Sequence, residues 1–241
     1  MVSPSSKSPS DPGASDPGFT LWAVLRRPGG TGSEPEHADD GSHGHTREPL
    51  VDAVRAVENA GVVVRGVYDV SGLRADADLL IWLTGGTADG LQHALRTLRR
   101  SAELAALLPT WNALGVHREA EFSRNHAPAF LRGLPPKSWL TVYPFVRSYD
   151  WYLLPEDERR TMLADHGRMG GAYPQVQTNT VASFALGDYE WILALEADDP
   201  LDLVDLMRHL RNTEARRHVR EEVPFFTGRR LALDEVSEVI A

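Results

Sequence analysis

Cysteine is absent from all 241 residues. That excludes a disulfide framework, a thiolate metal site and a cysteine nucleophile, and it fits a reducing compartment. Positive charge is also short: 25 Lys and Arg stand against 34 Asp and Glu, for a formal net charge of −9. So acidic a chain is poorly suited to holding nucleic acid by counterion release, and no nucleic-acid partner is expected. No apolar run approaches the ~20 residues needed to cross a bilayer, so no membrane span is expected either. The N-terminus lacks the basic-then-apolar layout of a secretory signal. These absences make a cytoplasmic protein the expectation. Common catalytic signatures are missing as well: there is no P-loop, no Rossmann glycine fingerprint, no G-x-S-x-G elbow and no HExxH.

What is present is an ordinary globular content, 42% hydrophobic, over a length that suits roughly one or two domains. Residues 1–18 are dominated by Ser, Pro, Gly and Asp and are expected to form a disordered tail. A second polar stretch, 28–47, carries His37, His43 and His45. A His-x-His pair can bind metal, but in this Gly- and Ser-rich setting a solvated loop is the expected state.

The remaining segments follow a repeated order. Periodicity predicts a strand at 19–27, a helix at 48–60 stopped by Gly61, strands at 62–72 and 77–85, a helix at 87–108 with Thr87 as N-cap, and a strand at 111–120. The second run predicts a strand at 138–148, a helix at 154–169 with acids in its first turn, a hairpin over 176–187 and 189–198, a helix at 200–219 and a strand at 225–233. Both runs read βαββαβ, the ferredoxin-like arrangement. The expected class is therefore α+β, with two ferredoxin-like halves forming a dimeric α+β barrel. The halves span 19–120 and 138–241, joined by a linker at 121–137. Two independent ferredoxin-like domains are the alternative that element order leaves open.

Three places carry chemistry. On the strand at 138–148, alternation puts Tyr143, Phe145 and Arg147 on one face, with Trp151 further along. The phenol can pass a proton or an electron, and the guanidinium is a fixed cation for carboxylates. The plain alternative is an aromatic strand whose polar tips reach solvent. His166 ends a helix, where the dipole favours it. A neutral imidazole there is also a common proximal ligand of haem iron, and Gly167, Gly170 and Gly171 would let a flat macrocycle approach the backbone. His126 lies in the linker and could serve as a general base, with His117 as a competitor.

At these residues the sequence resembles the coproheme decarboxylases, the haem-synthesis branch of the chlorite dismutase superfamily. The resemblance lies in Gly66-Val67-Tyr68, Asp76-Ala77-Asp78-Leu79, Tyr143-Pro144, Trp151-Tyr152, His166-Gly167-Arg168 and Asp188-Tyr189-Glu190-Trp191. It implies two ferredoxin-like halves per subunit, assembled as a homopentamer, with the porphyrin site in the C-terminal half. It implies His166 as the proximal iron ligand and Tyr143 as the tyrosine that becomes a radical. It also implies that Arg147 meets a propionate, that the segment Tyr143, Pro144, Phe145, Val146 and Arg147 lines the porphyrin with Trp151 nearby, and that His126 is the distal histidine of the actinobacterial type. The implied reaction is decarboxylation of two propionates of iron-coproporphyrin III (coproheme) to vinyl groups by hydrogen peroxide, giving haem b, so that coproheme is both substrate and redox centre.

The sequence departs from Firmicutes-type relatives in two respects, one being that a Ser contacting propionate in them falls near Ala215 or Arg216 here. Those have a distal Gln on the strand after the proximal His, where this chain reads Gln177-Thr178-Asn179, and no role is assigned to Gln177. The rival readings are a chlorite dismutase-like haem peroxidase and a non-catalytic haem-binding protein. The first expects an Arg on that strand, and residues 176–183 contain none.

Overall fold

The computed structural model describes residues 18–29, 47–118 and 127–241. The polar loop with His37, His43 and His45, the His126 candidate and all but the last residue of the predicted tail lie outside these residues.

The first half runs β1 (Phe19–Arg26), α1 (Leu50–Asn59), β2 (Val63–Asp69), β3 (Leu79–Gly85), α2 (Ala88–Leu98) and β4 (Leu108–Val116). The second runs β5 (Trp139–Arg147), α3 (Glu156–Gly170), β6 (Gln177–Ala182), β7 (Trp191–Ala197), α4 (Pro200–Leu210), β8 (Val219–Glu221) and β9 (Phe226–Leu231), with a short α5 (Val236–Ile240) at the end. Local chemistry accounts for several boundaries. Gly61 follows α1 at φ 88°, the left-handed conformation that ends helices. The Thr87 side chain accepts from the Gly90 N–H at the start of α2, and the Asp199 side chain accepts from the Leu201 N–H ahead of Pro200 on α4.

Two predicted helices are shorter than their apolar periodicity suggests. The helix expected over 87–108 stops at Leu98, and residues 99–107 fold back as turns. Leu104 and Leu107 still reach the first half's core, and the Ala102 N–H donates to the Glu48 carbonyl. A docked turn thus satisfies the same apolar positions that a helix would. The helix expected over 200–219 stops at Leu210. There Asn212 Nδ2 donates to the carbonyls of Arg208 and His209, and Thr213 Oγ1 donates to the Leu210 carbonyl. These side chains take up carbonyls that further helix would need. A 3-10 turn, Glu214–His218, follows, and then β8, which periodicity did not predict.

The strands form one antiparallel sheet that closes on itself. Around the ring they run β7-β6-β4-β1-β3-β2-β9-β5, and β5 pairs back to β7. Each half contributes its strands in the same spatial order, fourth-first-third-second. The seams between halves are β2–β9 and β4–β6, and each lies against a glycine. A Cβ on Gly228 would lie 2.4 Å from the Asp69 carbonyl oxygen, and one on Gly115 would lie 2.3 Å from Val181 Cγ2. The seams therefore need residues without side chains. The two halves form a single barrel rather than two separate domains.

The barrel interior is apolar, with Trp22, Trp82, Tyr68, Leu140, Val142, Ile192 and Phe226 in one cluster. α1, α2 and α4 cover its outer face. Being buried on both sides, β1 and β3 are continuous apolar runs without alternation. A register shift between Val64 and Gly66 leaves Arg65 as the extra residue of a bulge. Its guanidinium turns inward and meets Glu196 from the other half, Nη2 to Oε1 at 2.6 Å, with both side chains buried. Arg65 also donates to the Leu134 carbonyl and Gln177 Oε1. Asn179 Nδ2 and the Lys137 N–H donate to the same Glu196 carboxylate.

Removing one partner would strand the other charge in the barrel. Glu196→Leu is expected to cost about 3–5 kcal/mol, and adding Arg65→Met should recover much of that loss. Denaturant unfolding of the single and double variants checks this. A double variant no better than the single would mean that the pair is not the stabilising contact.

Candidate active site

The outer face of β5 is where the predicted residues gather. Tyr143, Phe145 and Arg147 point outward, as alternation requires, while Leu140 and Val142 point into the barrel. Pro144 and Val146 alternate with the outward set and can meet a ligand at Tyr143 only through their backbone. Pro144 also lies between the end of β9 pairing at Val142 and the start of β8 pairing at Val146. A residue without an N–H is tolerated at such a change of partner.

Tyr143 is buried and stacks on Phe225 with ring centroids 4.3 Å apart. Its hydroxyl donates to Met207 Sδ at 3.5 Å. Burial pushes the phenol well above the usual tyrosine range, and the Glu222 carboxylate adds to that. Arg211 and Arg216 partly offset it; both guanidiniums pair with Glu222, at 2.5 and 3.0 Å. Arg147 lies over the buried Trp151 ring at 4.1 Å and over Phe145 at 5.0 Å. Its backbone N–H donates to Glu190 Oε2 at 2.9 Å.

His166 lies in the last turns of α3, half-buried, with Nδ1 3.3 Å from Thr213 Oγ1. Among the described residues Nε2 makes no hydrogen bond. Burial lowers the imidazole pKa, and the Arg147 charge lowers it further. The ring is therefore held toward its neutral form, in which nitrogen has a lone pair to give. Tyr143 and His166 border the same stretch of chain, one through Met207 on α4 and the other through Thr213 just beyond α4's end.

α3 differs from the other long helices. In the first half, α1 and α2 bury Leu50, Ala53, Val54, Val57, Leu91, Ala94 and Leu98. α3 is the longest helix described, 15 residues, and buries none. The second half's core draws on β5, β7 and α4, with no residue from α3. Met162, Leu163, His166 and Met169 are only half-buried, and their spacing puts them on one helix face. A Cβ on Gly167 or Gly170 would meet no described atom within 4 Å. α3 thus presents a half-covered apolar stripe with an imidazole in it, and its protein partners are α4 and the turn Glu214–His218.

Gln177 is turned the other way. Its side chain is taken up inside the barrel by Arg65 and the Pro135 carbonyl. The residues of β6 that alternate outward, Thr178, Thr180 and Ala182, carry no charge. His117 lies at the end of β4, away from β5. Sequence reasoning gave no role to Thr213, Met207, Phe225, Glu222 or Glu190. The local signals were Asn212-Thr213, which breaks helices, and the motif that contains Glu190. Among the described residues no group of three or more His, Asp or Glu could hold a metal ion, so any iron bound here would rest on one imidazole and its own macrocycle.

This chain belongs to the chlorite dismutase family, whose model matches residues 46–231. Within it, the chain is 50% identical over 201 residues to the coproheme decarboxylase of Mycolicibacterium smegmatis, covering 81% of this chain and 87% of that one. A solved structure of chlorite dismutase from Candidatus Nitrospira defluvii in complex with imidazole superposes with a TM-score of 0.70 at 19% identity, covering 92% of this chain and 94% of that one. An arginine variant of that enzyme gives a TM-score of 0.71, also at 19% identity and with the same coverage. At that identity the likeness concerns the fold.

Because α3 contributes so little to the core, truncating its stripe should hardly matter in the ligand-free protein. Leu163→Ala is expected to cost less than about 1 kcal/mol. Leu203→Ala on the packed α4 should cost about 2–5 kcal/mol. Equal losses in urea unfolding would contradict the view that α3 stands off the core.

Proposed function

We propose that this protein makes haem b from iron-coproporphyrin III by hydrogen-peroxide-dependent oxidative decarboxylation of two propionates to vinyl groups. The observation that carries the reading is the 50% identity, across most of both chains, to a protein named for coproheme decarboxylation. For each propionate the balance is one peroxide and one proton consumed, with one carbon dioxide and two waters released.

The site's own chemistry fits such a substrate. The half-covered stripe of α3 can pack a flat apolar ring, and a neutral imidazole within it can bind iron. Arg147 supplies a cation for a propionate beside the buried Tyr143. When bound, iron-coproporphyrin III supplies the redox-active iron and the carboxylates that are lost.

The protein's share is orientation and proton handling. His166 would hold the iron, while Thr213, beside Nδ1, would steady the plane of the ring. Arg147 pairs with a propionate carboxylate, and the Trp151 face beneath fixes the guanidinium's position. Tyr143 gives up an electron and a proton. Burial keeps the phenol protonated beforehand, so the two depart together. A phenoxyl at Tyr143 would then take a hydrogen atom from a propionate β-carbon, and loss of carbon dioxide to give the alkene would release a second electron, which the peroxide-derived oxidant accepts. His126 keeps the part that the sequence resemblance assigns it, moving the peroxide proton. A cytoplasmic homopentamer belongs to the same reading, supported by the family resemblance and the absence of cysteine. Among the described residues no helix is long and apolar enough to cross a membrane.

Titration with coproheme, followed by peroxide and mass spectrometry of the porphyrin, tests the reading; an unchanged porphyrin mass would sink it. Tyr143→Phe should still bind coproheme but lose haem b formation by several orders of magnitude, because phenylalanine has no proton-coupled electron to give. His166→Ala should shift the Soret band of the coproheme complex and weaken binding. An unaltered spectrum would remove His166 from the role of ligand.

A further inference from the structure

A second hydrogen-bonded redox pair lies along the outer face of the same strands. Trp191, the first residue of β7, is offset-stacked on Phe145, with centroids 6.2 Å apart and planes 12° from parallel. Its indole N–H donates to the Tyr152 hydroxyl oxygen at 3.1 Å. The Tyr152 hydroxyl donates in turn to Glu190 Oε2 at 2.9 Å, the same oxygen that accepts the Arg147 backbone N–H. An indole, a phenol and a carboxylate thus form one chain. It runs from Phe145, beside Arg147, to a tyrosine that is 40% exposed.

We propose that Trp191 and Tyr152 form a one-electron relay that carries surplus oxidising equivalents from the active site to the protein surface. The use of the relay rests on the peroxide chemistry proposed above; its existence does not. The site's oxidant, generated from hydrogen peroxide, is reduced by one electron from Trp191. Trp191 is restored by one electron from Tyr152, and the Tyr152 proton moves along its existing hydrogen bond to Glu190. The net change is one electron lost by Tyr152, which becomes a neutral phenoxyl, and one proton gained by Glu190. A one-electron reductant of the ascorbate class, reaching the exposed phenol from solvent, returns the electron, and Glu190 returns the proton.

Electrostatics favours this direction. A positive charge left on the indole would share its surroundings with the Arg147 guanidinium. Passing the hole to Tyr152 with proton transfer leaves no positive charge, because it neutralises Glu190. Burial pushes the Tyr152 phenol up to about 12, with the Trp191 N–H pulling it down and the Glu190 bond raising it again. The phenol is therefore protonated at neutral pH and needs an acceptor when it loses an electron. The molecule holds its own comparison. The Trp111 indole also donates to a tyrosine, Tyr189, at 3.2 Å. Among the described residues, no carboxylate bonds to that hydroxyl.

Azide radicals generated by pulse radiolysis oxidise tryptophan directly, so the full-length, porphyrin-free protein can be tested without peroxide. The expected result is a first-order decay of indolyl radical matched by a rise of phenoxyl radical. That phase should vanish in Tyr152→Phe and Trp191→Phe, slow several-fold in Glu190→Gln, and persist in Tyr189→Phe. A phase unchanged in Tyr152→Phe, or lost in Tyr189→Phe, overturns the proposal. Should Tyr152→Phe fail to fold, Glu190→Gln decides alone, and an unchanged rate there overturns it. No porphyrin enters the measurement, so its failure and a failure of the decarboxylase reading are separate results.

Discussion

Everything at the site depends on β5 being hydrogen-bonded along both edges. β7 holds one edge from Trp139 to Phe145, while β9 and then β8 hold the other. A strand fixed on both sides can neither rotate nor slip, since a slip of one residue would turn Tyr143 and Arg147 into the apolar barrel. That rigidity comes from ring closure. In an open sheet one of these strands would lie at an edge, and the outer face could twist. The glycines at the two seams are part of the same constraint, because closure requires the backbones there to approach more closely than a Cβ allows.

The two halves share a topology and use it differently. In the first, both helices are fully committed to the sheet, and the result is a core. In the second, α4 makes that core alone, while α3 rests on α4 and on the turn beyond it. Burying apolar surface is the main favourable term in folding, so a helix of 15 residues with none buried has given up stabilisation that its counterpart α1 retains. The physical consequence is a half-covered surface that a flat apolar ligand can complete. Duplication of a stable unit allows this, because the first half and the barrel interior can support a second half that is under-packed.

Charge follows the same division. The buried Arg65–Glu196 pair inside the barrel is structural, because its remaining donors and acceptors are satisfied by Leu134, Lys137, Gln177 and Asn179. Outside, Arg211 and Arg216 face Tyr143 and Arg147 faces His166, with Glu222, Glu190 and Asp165 beside them. Guanidiniums beside a buried phenol suit a substrate that brings several carboxylates. The inner charges lock the two halves together, and the outer ones are left at the face that carries Tyr143 and His166.

Much of this was legible in the sequence. Period-two alternation on 138–148 was enough to put Tyr143, Phe145 and Arg147 on one face, and the order of elements was enough for two ferredoxin-like units, because both depend on local periodicity. The motifs from Tyr143-Pro144 to Asp188-Tyr189-Glu190-Trp191 pointed to the family. Helix lengths were misjudged where apolar spacing continued into turns, at Leu104 and Leu107 and again after Leu210, since a docked turn and a helix can satisfy the same apolar positions. That misjudgement hid Thr213, which becomes the partner of His166 only because α4 stops. Gln177 could not be placed from sequence, since its partner Arg65 sits in a bulge more than a hundred residues away. The sequence by itself determined the order of the main strands and helices and which face of each is apolar. Only the tertiary structure decided that the ring closes, that α3 stays off the sheet, and which distant side chains satisfy each buried polar group, because those depend on contacts between residues that no local pattern links.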